Sequence, residues 1–323
     1  MSEKFNFFLE DDEKPSDFKK LTRQLQEEFK QKQREEKKEK DEIKAKALKR
    51  FGFRKKGIQK YQVRLEGEMQ VNSMNVKTVV ENKYILQVKE IYENSVLIDL
   101  VSYDKEMVET SNPTFKEMFM VTRQLEKLYD EFTARVSHEG EILEIKNLSA
   151  LQEKWLRIKK ELVPYFNEGT NIEEFFSLND QTMKSPDIWK QLLNEQEFLF
   201  LFFKLAGYGK KLNFSDTLVK ENAYRSGKIA WDIQGYTPIE FFSEVLNLSI
   251  SGSFKPSTGW LDKAYGKMPF MNEISFQPSY QLQADYQIDS ESGFIRKAHV
   301  YWEEIAHPSL VFHKMKFTIT QIS

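Results

Sequence analysis

Four histidines, His138, His299, His307 and His313, are the only imidazoles in the chain, and three of them fall in its last 25 residues, close to Asp289, Glu303 and Glu304. Imidazole and carboxylate side chains in one neighbourhood can ligate a divalent metal or exchange protons. Glu303 and His307 are four apart and would share a face if helical. The flanking residues instead read as strand and loop, and no HExxH pattern occurs, so turn or surface histidines are the expectation. Gly207-Tyr-Gly-Lys-Lys211 has a phosphate-loop look. Such a loop needs glycine where Lys204 stands and a strand before it, whereas this segment follows an apolar helical run and reads as a helix stop. No G-x-S-x-G elbow is present, and Ser251-Gly-Ser253 sits in a strand-turn context. With 50 aspartates and glutamates, pairing carboxylates by proximity in sequence would invent a site. The absence of cysteine excludes thiolate catalysis, disulfides and cysteine-based zinc centres. The expectation is therefore no catalytic residue, no cofactor and no metal.

The elements that would position any function begin with an unusual amino terminus. Phe5, Phe7, Phe8 and Leu9 run directly into Glu10, Asp11 and Asp12. Residues 1–18 carry a net charge of -4, residues 19–60 of +10, and the remainder of -8. Residues 1–17 read as a disordered acidic-aromatic tail and 18–57 as a charged helical arm, with Phe18, Leu21, Leu25 and Phe29 on one helix face. Beyond Phe29 the arm is polar all round over 30–42. Glu28–Lys32, Glu36–Lys40 and Glu42–Lys46 can support it as i,i+4 pairs worth about 0.2–0.5 kcal/mol each. A basic, aromatic segment, Arg50-Phe-Gly-Phe-Arg-Lys-Lys-Gly57, is read as the helix end and a hinge; binding of phosphate or anionic lipid is the alternative.

Residues 58–323 read as an α+β body. Three strand regions are expected over 61–71, 76–88 and 96–101, then a helix over 115–129. A hairpin over 132–145 turns at Glu139-Gly140, and a helix opens at Ser149 with a capping-box pattern. Residues 171–206 read as mostly helical. Phe198 to Phe203 is apolar on every side and must be covered by protein. Strands follow over 229–233, 241–254, 280–288, 294–302 and 311–319. No βαβ alternation occurs, so the fold expected is a large curved antiparallel sheet packed around apolar helices, preceded by a long charged N-terminal helix. No apolar run approaches the roughly 20 residues a membrane helix needs, and no secretory signal is apparent, which gives a cytoplasmic expectation.

The hairpin-then-helix stretch from Phe132 to Ser149 and the closing Ile288-Asp-Ser-Glu-Ser-Gly-Phe-Ile-Arg resemble elements of bacterial half-barrel proteins similar to the lipoprotein-carrier (LolA/LppX-like) fold. That resemblance covers about 60–323. It implies a curved antiparallel sheet that grips helices and holds a lipid; it assigns no site residues.

Three functions follow as expectations. The first is a non-enzymatic adaptor or assembly component, which takes a protein partner through Phe5, Phe7, Phe8, Leu9, Phe18, Leu21, Leu25 and Phe29. The second is a carrier or chaperone for a lipid or apolar client segment. The third is a hydrolase whose site the sequence does not reveal. A nucleic-acid partner is not expected, because the arm interleaves glutamate with lysine and the body is acidic.

Overall fold

The computed structural model describes residues 27, 29–35, 50–165, 172–238, 244–268 and 275–323. The chain divides into two compact units, Met1–Leu48 and Lys49–Ser323. In the first, helix is described only at residues 27 and 29–35, so a charged helix of the expected length is not supported. Phe5, Phe7, Phe8, Leu9, Phe18, Leu21 and Leu25 lie outside the described residues.

The second unit is α+β, built on an 11-stranded antiparallel sheet of order β5-β4-β3-β2-β1-β11-β10-β9-β8-β7-β6. The first three strands are long: β1 Gly57–Val71, β2 Met74–Ile91 and β3 Ser95–Thr110. Helix α1 (Pro113–Glu126) then leads to the hairpin β4 (Glu131–Ser137) and β5 (Ile142–Ile145). Gly140 turns this hairpin at φ +84°, as the Glu-Gly pair predicts. Helices α2 (Leu148–Leu162), α3 (Ile172–Lys184) and α4 (Pro186–Asn194) follow. Helix α2 starts at Leu148 rather than at a Ser149 cap. The side chain of Asn147, just before it, makes no cap bond and accepts from the Thr133 N–H at 2.9 Å instead. Helix α5 (Glu197–Leu199) runs into a π-helical turn, Phe200–Lys204.

The remaining strands are β6 Phe214–Glu221, β7 Lys228–Tyr236, β8 Val245–Ser253, β9 Ser279–Asp289, β10 Ile295–His307 and β11 Val311–Ile322, with helix α6 (Thr258–Tyr265) between β8 and β9. Strand β6 and helix α6 are additions to the elements expected from sequence.

The core lies on one face of the sheet. Strands β7 and β9 alternate buried and exposed residues and β10 alternates buried with partly exposed ones, as period-2 sequences facing protein on one side must. The apolar run Phe198–Phe203 is buried throughout, as its all-round hydrophobicity requires. Phe202 stacks on Phe198 at 4.2 Å and meets Tyr61 of β1 at 4.8 Å, and the Tyr286 hydroxyl of β9 donates to the Leu201 carbonyl at 2.8 Å. The body also takes in residues ahead of β1. Phe51 and Phe53 are buried, and Phe53 packs on Phe203, Tyr208 and Phe294.

The sheet curls back on itself. Strands β6 and β10 are four places apart, which would separate them by about 19 Å if the sheet were flat. Instead the Lys220 ammonium of β6 lies 4.1 Å from the Trp302 ring of β10. Just past β6, the Tyr224 hydroxyl sits 3.1 Å and 3.0 Å from the carbonyl oxygens of Gln70 on β1 and Phe312 on β11. Strands β6 to β11 therefore form a half-barrel whose concave side is the inner face.

Candidate functional site

The curl brings together three ionisable residues that are remote in sequence. Trp302, Glu304 and Ala306 are consecutive inward positions of β10, and all three are buried. Glu304 is only 4% exposed. Its cross-strand partner on β11 is His313, and the next partner along that row, on β1, is Met69. From the far side of the curl, β6 contributes Lys220.

Each is held differently. The Lys220 ammonium lies in an aromatic corner, 4.3 Å from the centre of the Phe200 ring and 4.1 Å from that of Trp302. The two rings meet edge to face at 5.6 Å. A cation over two ring faces is attracted by both quadrupoles. The π-helical turn supplies this corner, because Leu205 N–H reaches back to the Phe200 carbonyl at 2.9 Å and the widened turn leaves Phe200 facing Trp302. No carboxylate among the described residues lies within ion-pair distance of Lys220. Glu304 accepts the Ala223 N–H on Oε2 at 2.8 Å. The buried Nδ1 of His313 has no hydrogen-bond partner among the described residues. Behind the trio, the Tyr265 hydroxyl lies 3.1 Å from that of Tyr280 and 3.4 Å from the Asn222 amide.

The environment moves all three proton affinities. Burial pushes the Glu304 carboxyl up to about 7, with the Ala223 N–H and Lys220 pulling it back. Burial, assisted by Lys220, takes His313 down to about 4. Burial also lowers Lys220 below its ordinary value, opposed by Glu197 and Glu304. Near neutral pH the recess therefore presents a neutral imidazole and a carboxyl poised to hold or release a proton beside the Lys220 side chain, whose charged form burial disfavours. Perturbed groups that converge in a concavity are a signature of binding or chemistry.

An apolar strip leaves this recess along the inner face. Cross-strand partners continue Trp302 into Met315, Gly67 and Thr78, and Glu304 into His313, Met69 and Val76. The row above passes from Val300 to Phe317, Leu65, Val80 and Met107. Leu65, Met69, Val80, Met107 and Met315 are only half-buried, whereas the facing residues Val300 and Phe317 are fully covered. Gly67 contributes no side chain, and the Thr78 hydroxyl of β2 lies 3.1 Å from where its Cβ would stand. Along β3 lies α1, tied by the Lys105–Glu126 ion pair at 2.6 Å; this helix has no fully buried residue, and Met118 is 58% exposed.

The sequence-based candidates are dispersed. His138 contacts the Glu93 carbonyl at 3.0 Å in a hairpin, His299 lies on the exposed face beside Thr318, and His307 meets Ser309 at the end of β10. Glu303 and His307 sit on a strand, so their four-residue spacing brings no shared helix face, and the carboxylate that meets a histidine is Glu304, across the hairpin. Gly207 and Gly209 take φ of +69° and +81° after the π-helical turn, which is a chain reversal. Phe29 is 64% exposed on its helical segment. An open hollow of about 670 Å³ on the exposed face is lined by Gln234, Tyr236, Ser249, Ser251, Gln283 and Asp285 and holds no buried ionisable group. Among the described residues, no helix is long and apolar enough to cross a membrane.

Sequence reasoning missed Lys220 and did not pair Glu304 with His313. The available signal was a charge at an inward position: Glu304 interrupts Ala298, Val300, Trp302 and Ala306.

The chain matches no protein-family profile, and no curated protein resembles it in sequence. Among solved structures it is similar to lipovitellin, in a structure concerned with lipid–protein interactions, at 7% identity and a TM-score of 0.34, over 84% of this chain and 26% of the other. The chain thus spans about a quarter of that protein, and a likeness at this score does not establish a shared fold.

Proposed function

We propose that the half-barrel carries a ligand with one long apolar chain, laid along the inner strip from Met315 toward Met107, with its polar end in the Lys220–Glu304–His313 recess. One observation carries this reading: half-buried apolar side chains on four adjacent strands lead directly to a desolvated polar cluster. Crossing from β10 to β3 spans about 19 Å, which suits an extended acyl chain. The methionines offer a surface that adapts to chain shape. Helix α1, with no residue fully buried, is the element able to yield when the chain enters.

The test is native mass spectrometry of protein purified without detergent, combined with titration of a fluorescent long-chain probe. One chain per protein is expected. Leu65→Glu and Met69→Glu should each weaken binding by roughly tenfold or more, since a carboxylate on the strip must be desolvated. A clean unliganded mass together with no saturable probe binding would sink the proposal.

A second proposal, attachment to a protein partner through the N-terminal anchors, is favoured by the exposure of Phe29. Deleting residues 1–30 should remove a co-purifying partner without changing the melting of the body; unchanged co-purification refutes it.

A further inference from the structure

The Lys220 recess carries information about the polar end of the ligand. We propose that the carried molecule is a long-chain carboxylic acid, its carboxylate set between the Lys220 ammonium and the side chains of Glu304 and His313. This rests on the carrier reading and narrows it to one ligand class.

Three features of the geometry support the choice. The Lys220 ammonium is fixed in the Phe200–Trp302 corner, yet no protein carboxylate lies within ion-pair distance among the described residues. Burial without a counter-ion disfavours the charged form of Lys220, and an incoming anion removes that penalty. Glu304 sits one inward position from Trp302 and opposite His313, so an anion beside Lys220 meets both. A protonated Glu304 donates to a carboxylate, as paired carboxyl groups do when they share a proton. The buried Nδ1 of His313 is without a partner and available to the same head group.

The site also discriminates among head groups. One cation offsets one negative charge. A phosphate monoester brings between one and two charges at neutral pH, and its second charge would meet Glu304 with nothing to balance it. A hydroxyl or ester head brings none and leaves Lys220 as it is. The apolar strip starts at Met315, the cross-strand partner of Trp302, so a head held at Lys220 delivers its chain straight onto the strip.

The experiment compares four probes of equal chain length on the full chain at pH 7: palmitate, cetyl alcohol, methyl palmitate and cetyl phosphate. Binding is followed by tryptophan fluorescence, since Trp302 forms one wall. Palmitate should bind roughly tenfold or more tighter than the alcohol and the ester, the scale of a charge-assisted hydrogen bond. Lys220→Met should bring the acid down to the affinity of the alcohol, and Lys220→Arg should retain the preference. Equal affinities of acid, alcohol and ester for the unmodified protein would overturn the carboxylate assignment and leave the carrier reading standing. Tighter binding of cetyl phosphate than of palmitate would overturn it as well. Failure of every probe to bind would remove both. The comparison among ligands uses the unmodified protein, so it decides even where a Lys220 variant does not fold.

Discussion

Glu304→Gln should change how stability depends on pH, and the size of the change follows from the recess. The Glu304 carboxyl stands at about 7 in the folded chain against an ordinary 4.5. Raised in the folded state, it binds its proton more tightly there than in the unfolded chain. Its contribution is therefore complete below pH 4.5 and is lost as the pH rises to 7. At about 1.4 kcal/mol per pH unit, the loss over that interval is about 3 kcal/mol. His313 works in the opposite sense. Lowered to about 4 from 6.5, it contributes stability that is present above pH 6.5 and is lost as the pH falls through 4, again by up to about 3 kcal/mol. Between pH 4.5 and 6.5 the two nearly cancel, so the pair leaves the unmodified protein almost flat in that window.

Removing one partner exposes the other. In Glu304→Gln the His313 limb remains, and the stability of the variant should rise relative to the unmodified protein by about 3 kcal/mol between pH 4.5 and 7.5, whatever its absolute value. His313→Gln should show the mirror image, a fall with rising pH. The tyrosine hydroxyls around Glu304 stay out of this window, since those of Tyr224, Tyr265 and Tyr280 are all raised above their ordinary 10 by burial, and Lys220, lowered by burial, is present in both proteins. Asp289, drawn down to about 2 although burial opposes it, by Ser292 and Arg296, acts at lower pH and cancels in the difference between the two proteins. The assay is urea unfolding at half-unit pH steps, with stability taken by linear extrapolation. A stability difference constant to within about 0.5 kcal/mol from pH 5 to 8 would show that Glu304 is not desolvated, and the electrostatic account of the recess would fall.

Other consequences are independent of the site. Gly293→Ala should destabilise by about 2–3 kcal/mol in chemical unfolding, because φ is +82° and the added methyl meets the Gly52 carbonyl; wild-type stability would refute that packing. Gly259→Ala, in α6 with nothing within 4 Å of the new methyl, should stabilise by about 0.5–1 kcal/mol. A chain shortened to begin at residue 49 should melt like the full chain. One beginning at residue 58 should melt lower, because Phe51 and Phe53 each bury a ring worth about 1.5–3 kcal/mol; equal melting would show that the segment is dispensable to the core.

The legible parts of this fold and the illegible ones have the same physical origin. Strands β9, β10 and β11 could be read because each presents one face to protein, so apolar residues recur at every second position. The helical run Phe198–Phe203 could be read because a segment apolar all round has to be enclosed. Strand β6 could not, since in Phe214-Ser-Asp-Thr-Leu-Val-Lys-Glu221 lysine takes an inward position after Leu218, while Val219 points outward at 58% exposure. Hydrophobic alternation interprets such a lysine as solvent-facing, and the strand disappears from view. Glu304 reads the same way within β10, where its strand survives only because Ala298, Val300, Trp302 and Ala306 carry the pattern around it. Lys220 and Glu304 also lie 84 positions apart, and it is the curl of a sheet with four strand-to-strand steps between them that makes them neighbours. Local pattern has no access to that curl. The Glu303–His307 spacing gives no shared helix face because the segment is a strand, as its flanking residues indicate, and the histidine opposite a carboxylate is found across the hairpin, where Glu304 pairs with His313. A sheet that buries a polar group must break its own hydrophobic alternation where that group sits. Charged residues at inward positions of otherwise apolar strands are accordingly the sequence feature that marks this recess, and Lys220 and Glu304 both carry it.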